Sequence, residues 1–414
     1  MSELFINQER KQYLLSISEP PKDINSFTTF INTIYQKKHI QNVRCLLNIK
    51  KIPAWNHYYL LFFEEILPWL IKRVQSFLKK NKYTTISRIS ANSDITLELD
   101  KDDVLDLMVA MTFGLYSDPK QSQNIDFEYF FFEYCGTSTQ KLLCILEYFH
   151  ENINRPHYGK FILHRCYLSN PFTENDLKYC SQEFSPFQIF STGKIGDQPN
   201  EIKVDFADQY IGGYVLTHGD LQEEIMFVES PECLLSVLFC EKMENREAII
   251  IEGADLYSDI IGYGTQFQFN GPIGKNKRLN DVIISIDARE YYNVTNQFDS
   301  KELLREINKA YIGFISTSSF PYPIGTGKWG CGAFGGITSL KVIIQWIAAT
   351  MAKKQINFYT FGNQKEGKEL SDFINYVQSN HITVADISTK LFELHTIKDK
   401  NKLINNVYQY VLSN

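Results

Sequence analysis

A change of rhythm near residue 160 constrains this chain's fold more than any other feature. Before it, apolar residues recur at helical spacing. From Trp55 to Lys80, Leu61, Ile66, Leu67, Leu70, Ile71, Val74 and Leu78 form one broad face, interrupted at Pro68. Asp100-Lys-Asp-Asp103 then precedes Val104, Leu105, Leu107, Met108, Met111 and Leu115, the acids suiting the positive end of a helix dipole. Residues 139–150 read as a further helix. After residue 160, short apolar runs at 160–166, 202–207, 248–252, 282–287 and 356–361 alternate with helical stretches at 222–240, 301–317, 338–353, 366–379 and 383–395. Short buried strands between helices call for an α/β layered core. The expected organisation is a helical N-terminal accessory region over 1–155 and an α/β region over 156–414. No internal repeat or long linker separates them.

Charge and cysteine usage narrow the function classes. The net charge of −6 supplies no global basic field, so no direct DNA binding is expected. A polyanionic ligand needs a local site of backbone N–H groups or a few cations. Cys45, Cys135, Cys144, Cys166, Cys180, Cys233, Cys240 and Cys331 are scattered, without Cys-x-x-Cys pairs or zinc spacing, and read as reduced thiols. The stretch Met1–Lys11 lacks a signal peptide's apolar core, and no run of 18 apolar residues exists. The expectation is a cytoplasmic or nuclear protein, neither secreted nor membrane-spanning.

Two constellations carry chemistry. Gly212-Gly213-Tyr214 is followed, eight residues on, by Gln222-Glu223-Glu224 at a predicted helix start. Glycines let backbone approach a ligand, and paired carboxylates can transfer protons at a sugar carbon. Burial and mutual repulsion would raise the pKa of one acid. A Glu-Glu pair in a first turn is also an ordinary solvated feature. The second constellation is Gly325-Thr-Gly-Lys-Trp-Gly-Cys-Gly-Ala-Phe-Gly-Gly336 ahead of a helix. Such a loop offers free N–H groups to phosphate, though it fits neither the Walker nor the dinucleotide pattern. Asp205 and Asp287 sit in apolar strands, where a carboxylate is costly unless paired or functional. Tyr257, Tyr263 and Phe361 each follow a predicted strand and could stack on a base. His218 is given no role.

In order and spacing, Phe63-Glu-Glu-Ile-Leu-Pro68, Val204-Asp-Phe-Ala207, Gln222-Glu-Glu224, Ile261-Gly-Tyr-Gly264, Leu304–Tyr311, Trp329–Gly336 and Thr360-Phe-Gly362 resemble poly(ADP-ribose) glycohydrolases from about Trp55 to about Thr396. The resemblance implies a macrodomain-like α/β/α sandwich with a mixed sheet behind the helical accessory region. It implies hydrolysis of ribose–ribose bonds in poly(ADP-ribose), releasing ADP-ribose, with no cofactor or metal. Glu224 would be the general acid, Glu223 would hold the ribose, and Asp205 would join them as a catalytic residue. Gln222, Gly212, Gly213, Tyr214, Asp208 and Ile195 would line the substrate site. Gly330, Gly332, Ala333 and Phe334 would cradle the diphosphate, and Tyr263 and Phe361 would flank the adenine. ADP-ribose, its polymer and ADP-ribosylated proteins are the implied partners.

Three positions depart from that pattern. Tyr214 replaces a third glycine, adding bulk on the ribose side and opposing a left-handed backbone. Asp208 stands where an asparagine is usual, and Gly196 where an acid is expected beside Ile195. Two readings stay open: an active hydrolase, or an inactive relative serving as an ADP-ribose reader or as a structural subunit of a larger assembly. A generic nucleotide-binding protein would explain the glycine loop but not Gln222-Glu223-Glu224.

Overall fold

The apolar runs after residue 160 become strands of one mixed sheet. The computed structural model describes residues 2–37, 43–118, 123–132, 137–153, 155–274 and 281–413, and Cys135 lies outside them. In chain order the strands are β1 (Glu3–Ile6), β2 (Thr85–Ser87), β3 (Ile95–Asp100), β4 (Tyr116–Ser117), β5 (Lys160–Tyr167), β6 (Phe187–Phe190), β7 (Ile202–Asp205), β8 (Glu247–Ala254), β9 (Ser258–Ile261), β10 (Gln268–Pro272), β11 (Asp281–Ser285), β12 (Ile324–Thr326) and β13 (Ile356–Tyr359). Eight of them form the main sheet in the order β3-β5-β8-β11-β7-β12-β13-β6. Pairing is antiparallel from β3 to β11 and parallel from β11 to β6. The five parallel strands therefore end on one edge, at Ser285, Asp205, Thr326, Tyr359 and Phe190. Ligand sites of α/β sheets gather at such an edge.

Alternation along β8 shows how the layers form. Ile249 and Ile251 join an apolar cluster shared with the N-terminal helices, while Ala248 and Ile250 join one built from the later helices. The first cluster also takes in Ile211, Val215 and Leu216, so the acid loop rests directly on the helical region. Antiparallel β9 and β10 form a separate hairpin whose connection carries Tyr263.

Several expectations shift. Residues 95–100 form an edge strand, and the predicted helix behind it runs Lys101–Thr112. The expected helix over 222–240 is cut into Gln222–Glu229, a 3-10 turn Pro231–Leu234 and Leu235–Phe239, because Pro231 cannot donate to a continuing ladder. Around Pro68 the chain makes a π-turn, Phe62–Ile66, and then a helix from Leu67 with the proline in its first turn. Strands β6 and β12 were not expected from the sequence. No helix among the described residues is long and apolar enough to cross a membrane.

Candidate functional site

The acid loop is organised by its own carboxylates. Glu223 and Glu224 open the helix Gln222–Glu229, and both side chains are buried. Glu223 accepts from the Asp208 N–H at 2.9 Å and the Gly212 N–H at 2.6 Å. Glu224 accepts from the Tyr214 N–H at 3.0 Å and, reaching back to the residue before the helix, from the Leu221 N–H at 2.9 Å. Adjacent helical residues ordinarily diverge, yet these two converge on one glycine. A Cβ on Gly213 would stand 2.6 Å from Glu224 Oε1 and 2.7 Å from Glu223 Oε2, at a φ of +50°. A Cβ on Gly219 would stand 2.5 Å from Glu224 Oε1. Gly219, which no sequence motif marks, thus closes the other side of Glu224.

Asp205, fully buried at the end of β7, accepts from Ser285 Oγ at 2.7 Å through Oδ2, while its Oδ1 has no hydrogen-bond partner. Burial pushes its carboxyl well up, and the Glu224 charge adds to this against the Ser285 hydrogen bond. Glu223 is likewise raised by burial first, then by the charges of Asp205 and Glu224. Gln222 is engaged with the backbone: its amide accepts from Phe206 N–H at 2.8 Å and donates to the Val204 carbonyl at 3.1 Å. It thus braces the end of β7 against the helix. Asp208 accepts from Tyr210 N–H at 2.8 Å, and its carboxyl is raised by burial and by neighbouring acids, Asp287 first.

Tyr214 does not have a positive φ, so the missing third glycine imposes no backbone strain. Its ring is 58% exposed and stacks on His218. The pair lines a cavity of about 400 Å³ with Gln123, Asn124 and Asp208. A larger cavity, of about 960 Å³, lies behind the glycine loop among Lys328, Glu366, Tyr376 and Tyr408 and touches none of the site acids.

The glycine loop leaves β12 and enters the helix Thr338–Met351. Gly330, Gly332 and Gly335 all adopt φ +71°. A 3-10 turn, Gly332–Phe334, stands between them with Gly332 and Ala333 exposed. Beneath it Trp329 is buried and donates from Nε1 to the Ile286 carbonyl at 2.8 Å. Lys341, almost wholly buried, lies 4.3 Å from the Trp329 ring centre and pairs with buried Glu306. A Cβ on Gly330 would come within 2.9 Å of the Lys341 ammonium, so only glycine lets the loop sit so close to it. Lys341 went unread because its partner is distant in sequence; a lone lysine on an apolar helix face was the available signal.

The remaining residues divide. Tyr263 and Phe361 are 58% and 46% exposed, Tyr263 on the β9–β10 connection and Phe361 against the glycine loop, where a Cβ on Gly327 would stand 2.8 Å from its ring. Burial, then the Glu224 charge, raises the Tyr263 phenol. Phe361 holds φ +52°, a region few side chains adopt and one often kept at functional sites. Ile195 is buried, and the Gly196 N–H beside it donates to buried Glu201 at 2.6 Å. Tyr257 is a core residue, its hydroxyl donating to Glu232 at 3.3 Å. Asp287 is held by Arg305 and Lys309, each at 2.5 Å, and their charges hold its carboxyl below the usual range despite burial.

Two family models match the chain in succession. Residues 56–165 match the family model described as poly(ADP-ribose) glycohydrolase, helical domain, and residues 174–368 match its macro domain fold model. The chain is 30% identical over 322 residues to the probable poly(ADP-ribose) glycohydrolase 2 of Arabidopsis thaliana, covering 64% of this chain and 61% of the plant protein. It is 28% identical over 375 residues to poly(ADP-ribose) glycohydrolase 1 of the same plant, covering 69% and 67%. It is 37% identical over 216 residues to poly(ADP-ribose) glycohydrolase 1 of Caenorhabditis elegans, covering 48% and 28%. The chain thus spans between 28% and 67% of the length of these curated relatives. With both family models matched in order along most of its length, the chain belongs to the poly(ADP-ribose) glycohydrolase family.

Proposed function

We propose that this chain hydrolyses the ribose–ribose O-glycosidic bonds of poly(ADP-ribose) and releases ADP-ribose. The observation that carries this reading is the convergence of Glu223 and Glu224 on Gly213, both buried and both held by backbone N–H groups. Names of the curated relatives support the substrate.

Bond breaking at an anomeric carbon passes through an oxocarbenium-like state. Glu224 gives its proton to the departing ribose oxygen as the C–O bond breaks. It then takes a proton from water as the new C–O bond forms. Glu223 spends one lone pair on each oxygen on the loop and keeps others for ribose hydroxyls. Asp205 sits beneath them as a buried carboxyl, supporting the acid cluster. Gly212 and Gly213 bring backbone to the sugar, while Gln222 fixes the strand end that carries Asp205.

The diphosphate is placed on the 3-10 turn Gly332-Ala333-Phe334 and on Gly330, with Lys341 below as a buried positive charge. A fixed anion there anchors the sugar before the acid acts. Tyr263 and Phe361 are the adenine-side rings, with Ile195 in the wall behind. In this division of labour residues 1–155 hold the acid loop and 156–414 carry the ligand.

An inactive ADP-ribose reader remains the second reading, because Asp208 places a carboxyl where the family usually has an amide. The test is incubation of purified protein with labelled poly(ADP-ribose). Free ADP-ribose supports the hydrolase, whereas binding without release supports the reader.

A further inference from the structure

We propose that the first turn of the helix Ser138–Asn152 positions the reacting loop, with Lys141 as the positioning residue; this rests on the hydrolase reading. Two neighbouring side chains of that turn reach two different walls of the site. Lys141 Nζ donates to the Val215 carbonyl and to the Thr217 carbonyl, each at 3.0 Å. These carbonyls follow Tyr214, whose N–H is bonded to Glu224. Gln140 Oε1 accepts from the Phe269 N–H at 3.0 Å, in the hairpin whose connection carries Tyr263. The rings of Trp55 and Tyr58 pack edge-on against Phe269, so the same hairpin is gripped by the helical region from a second side.

Lys141 is fully buried. An ammonium loses its water shell on burial, and an apolar side chain of similar volume would fill the space without that loss. Packing therefore does not require a lysine here. What the ammonium adds is directional: two donors fix two carbonyls of a loop that is otherwise a run of turns. Gln123 and Asn124 add weight on the same loop, donating to the Ile211 carbonyl at 2.8 Å and the Leu216 carbonyl at 3.3 Å. With the loop fixed, the Tyr214 N–H keeps Glu224 aimed. The diphosphate cradle is built on a different element, ahead of Thr338–Met351. Lys141 should thus act more on the proton-transfer step than on the hold on ADP-ribose, whose diphosphate and adenine rest on other elements.

The test uses the full chain with Lys141→Met, Lys141→Gln and Gln140→Leu. Hydrolysis of labelled polymer is normalised to ADP-ribose-binding sites, and ADP-ribose affinity is measured on the same preparations. Lys141→Met should lower kcat per site by about 30- to 100-fold, the scale of a misplacement near 1 Å. KM and affinity should stay within about threefold, with Lys141→Gln losing less because a donor remains. Gln140→Leu should show the reverse split, raising KM and weakening affinity more than it lowers kcat. A kcat per site within twofold of wild type for folded Lys141→Met, or equal losses of kcat and affinity in both variants, would overturn the proposal. If Lys141→Met does not fold, Lys141→Gln and Gln140→Leu decide by the same split. If the wild type hydrolyses nothing, the hydrolase reading fails and amide exchange decides. Lys141→Met should then speed exchange at Gly212–Thr217 at least tenfold while leaving Gly330–Gly336 unchanged, and a uniform change or none would refute the positioning role.

Discussion

The Tyr214 ring lies over the His218 imidazole, with 4.9 Å between ring centres and 29° between their planes. What Tyr214 gives Glu224 is its backbone N–H, which any residue but proline supplies. Tyr214→Gly should therefore change polymer hydrolysis by less than about threefold and leave ADP-ribose affinity within a few-fold. Rate assays and calorimetry on one preparation check this. A gain of more than about tenfold would mark the ring as an obstruction and favour a degraded enzyme.

Gly213 is a position in the acid loop where a side chain would meet both glutamates. Its φ is +50°, and a Cβ would press on both glutamate carboxylates. Gly213→Ala should cost about 1–3 kcal/mol of stability, the scale of a strained backbone position. It should also abolish hydrolysis, because the acids must separate. Chemical unfolding and a rate assay measure the two effects, and a stable variant of normal rate would rule out the convergence as a working feature.

The buried acids set a pH dependence. Asp205 in the folded chain has its pKa raised above the ordinary 3.8, chiefly by burial. The unfolded chain then releases this proton at lower pH than the folded chain does. Stability is full below the ordinary value and is lost as pH rises through the folded value. Asp205→Asn removes that loss and keeps an acceptor for Ser285. Relative to wild type, its thermal midpoint should climb between pH 5 and pH 8. A constant difference across that range would contradict the shift.

Gly332→Val probes the proposed diphosphate cradle. Gly332 has φ +71° with open space where a Cβ would go, so the substitution strains the turn without clashing in the core. ADP-ribose affinity should fall more than about tenfold by calorimetry while the protein stays folded. Unchanged affinity would remove the cradle from this loop.

Glu223, Glu224 and the glycine loop stood out as candidates because their acids and glycines lie in adjacent residues. The burial of Asp205 was foreshadowed by its place in an apolar strand, where a carboxylate needs a reason. β3 was hidden by its acids: Ile95-Thr-Leu-Glu-Leu-Asp100 alternates like a strand, but the flanking Asp102 and Asp103 signal a helix start. β12 disappeared into the glycine loop because Ile324-Gly-Thr326 is only three residues long. Lys141 and Lys341 could not be assigned, since one is paired with loop carbonyls over 70 residues away and the other with Glu306. Buried charge is read from its partners, and sequence spacing does not supply them. Tyr214 drew attention as a departure in the motif, whereas its hydrogen bond to Glu224 comes from the backbone.

Hydrolysis by the wild type beside Glu224→Gln tests the central claim most directly. Both proteins are loaded with the same labelled poly(ADP-ribose), and free ADP-ribose is followed with time. The substitution keeps the side chain's size and an acceptor oxygen but removes the proton source. Wild type should release ADP-ribose, and Glu224→Gln should do so at a rate about two to four orders of magnitude lower, the usual scale for general acid–base catalysis, with ADP-ribose binding retained. Wild-type polymer left intact, or a Glu224→Gln rate within a few-fold of wild type, would contradict it.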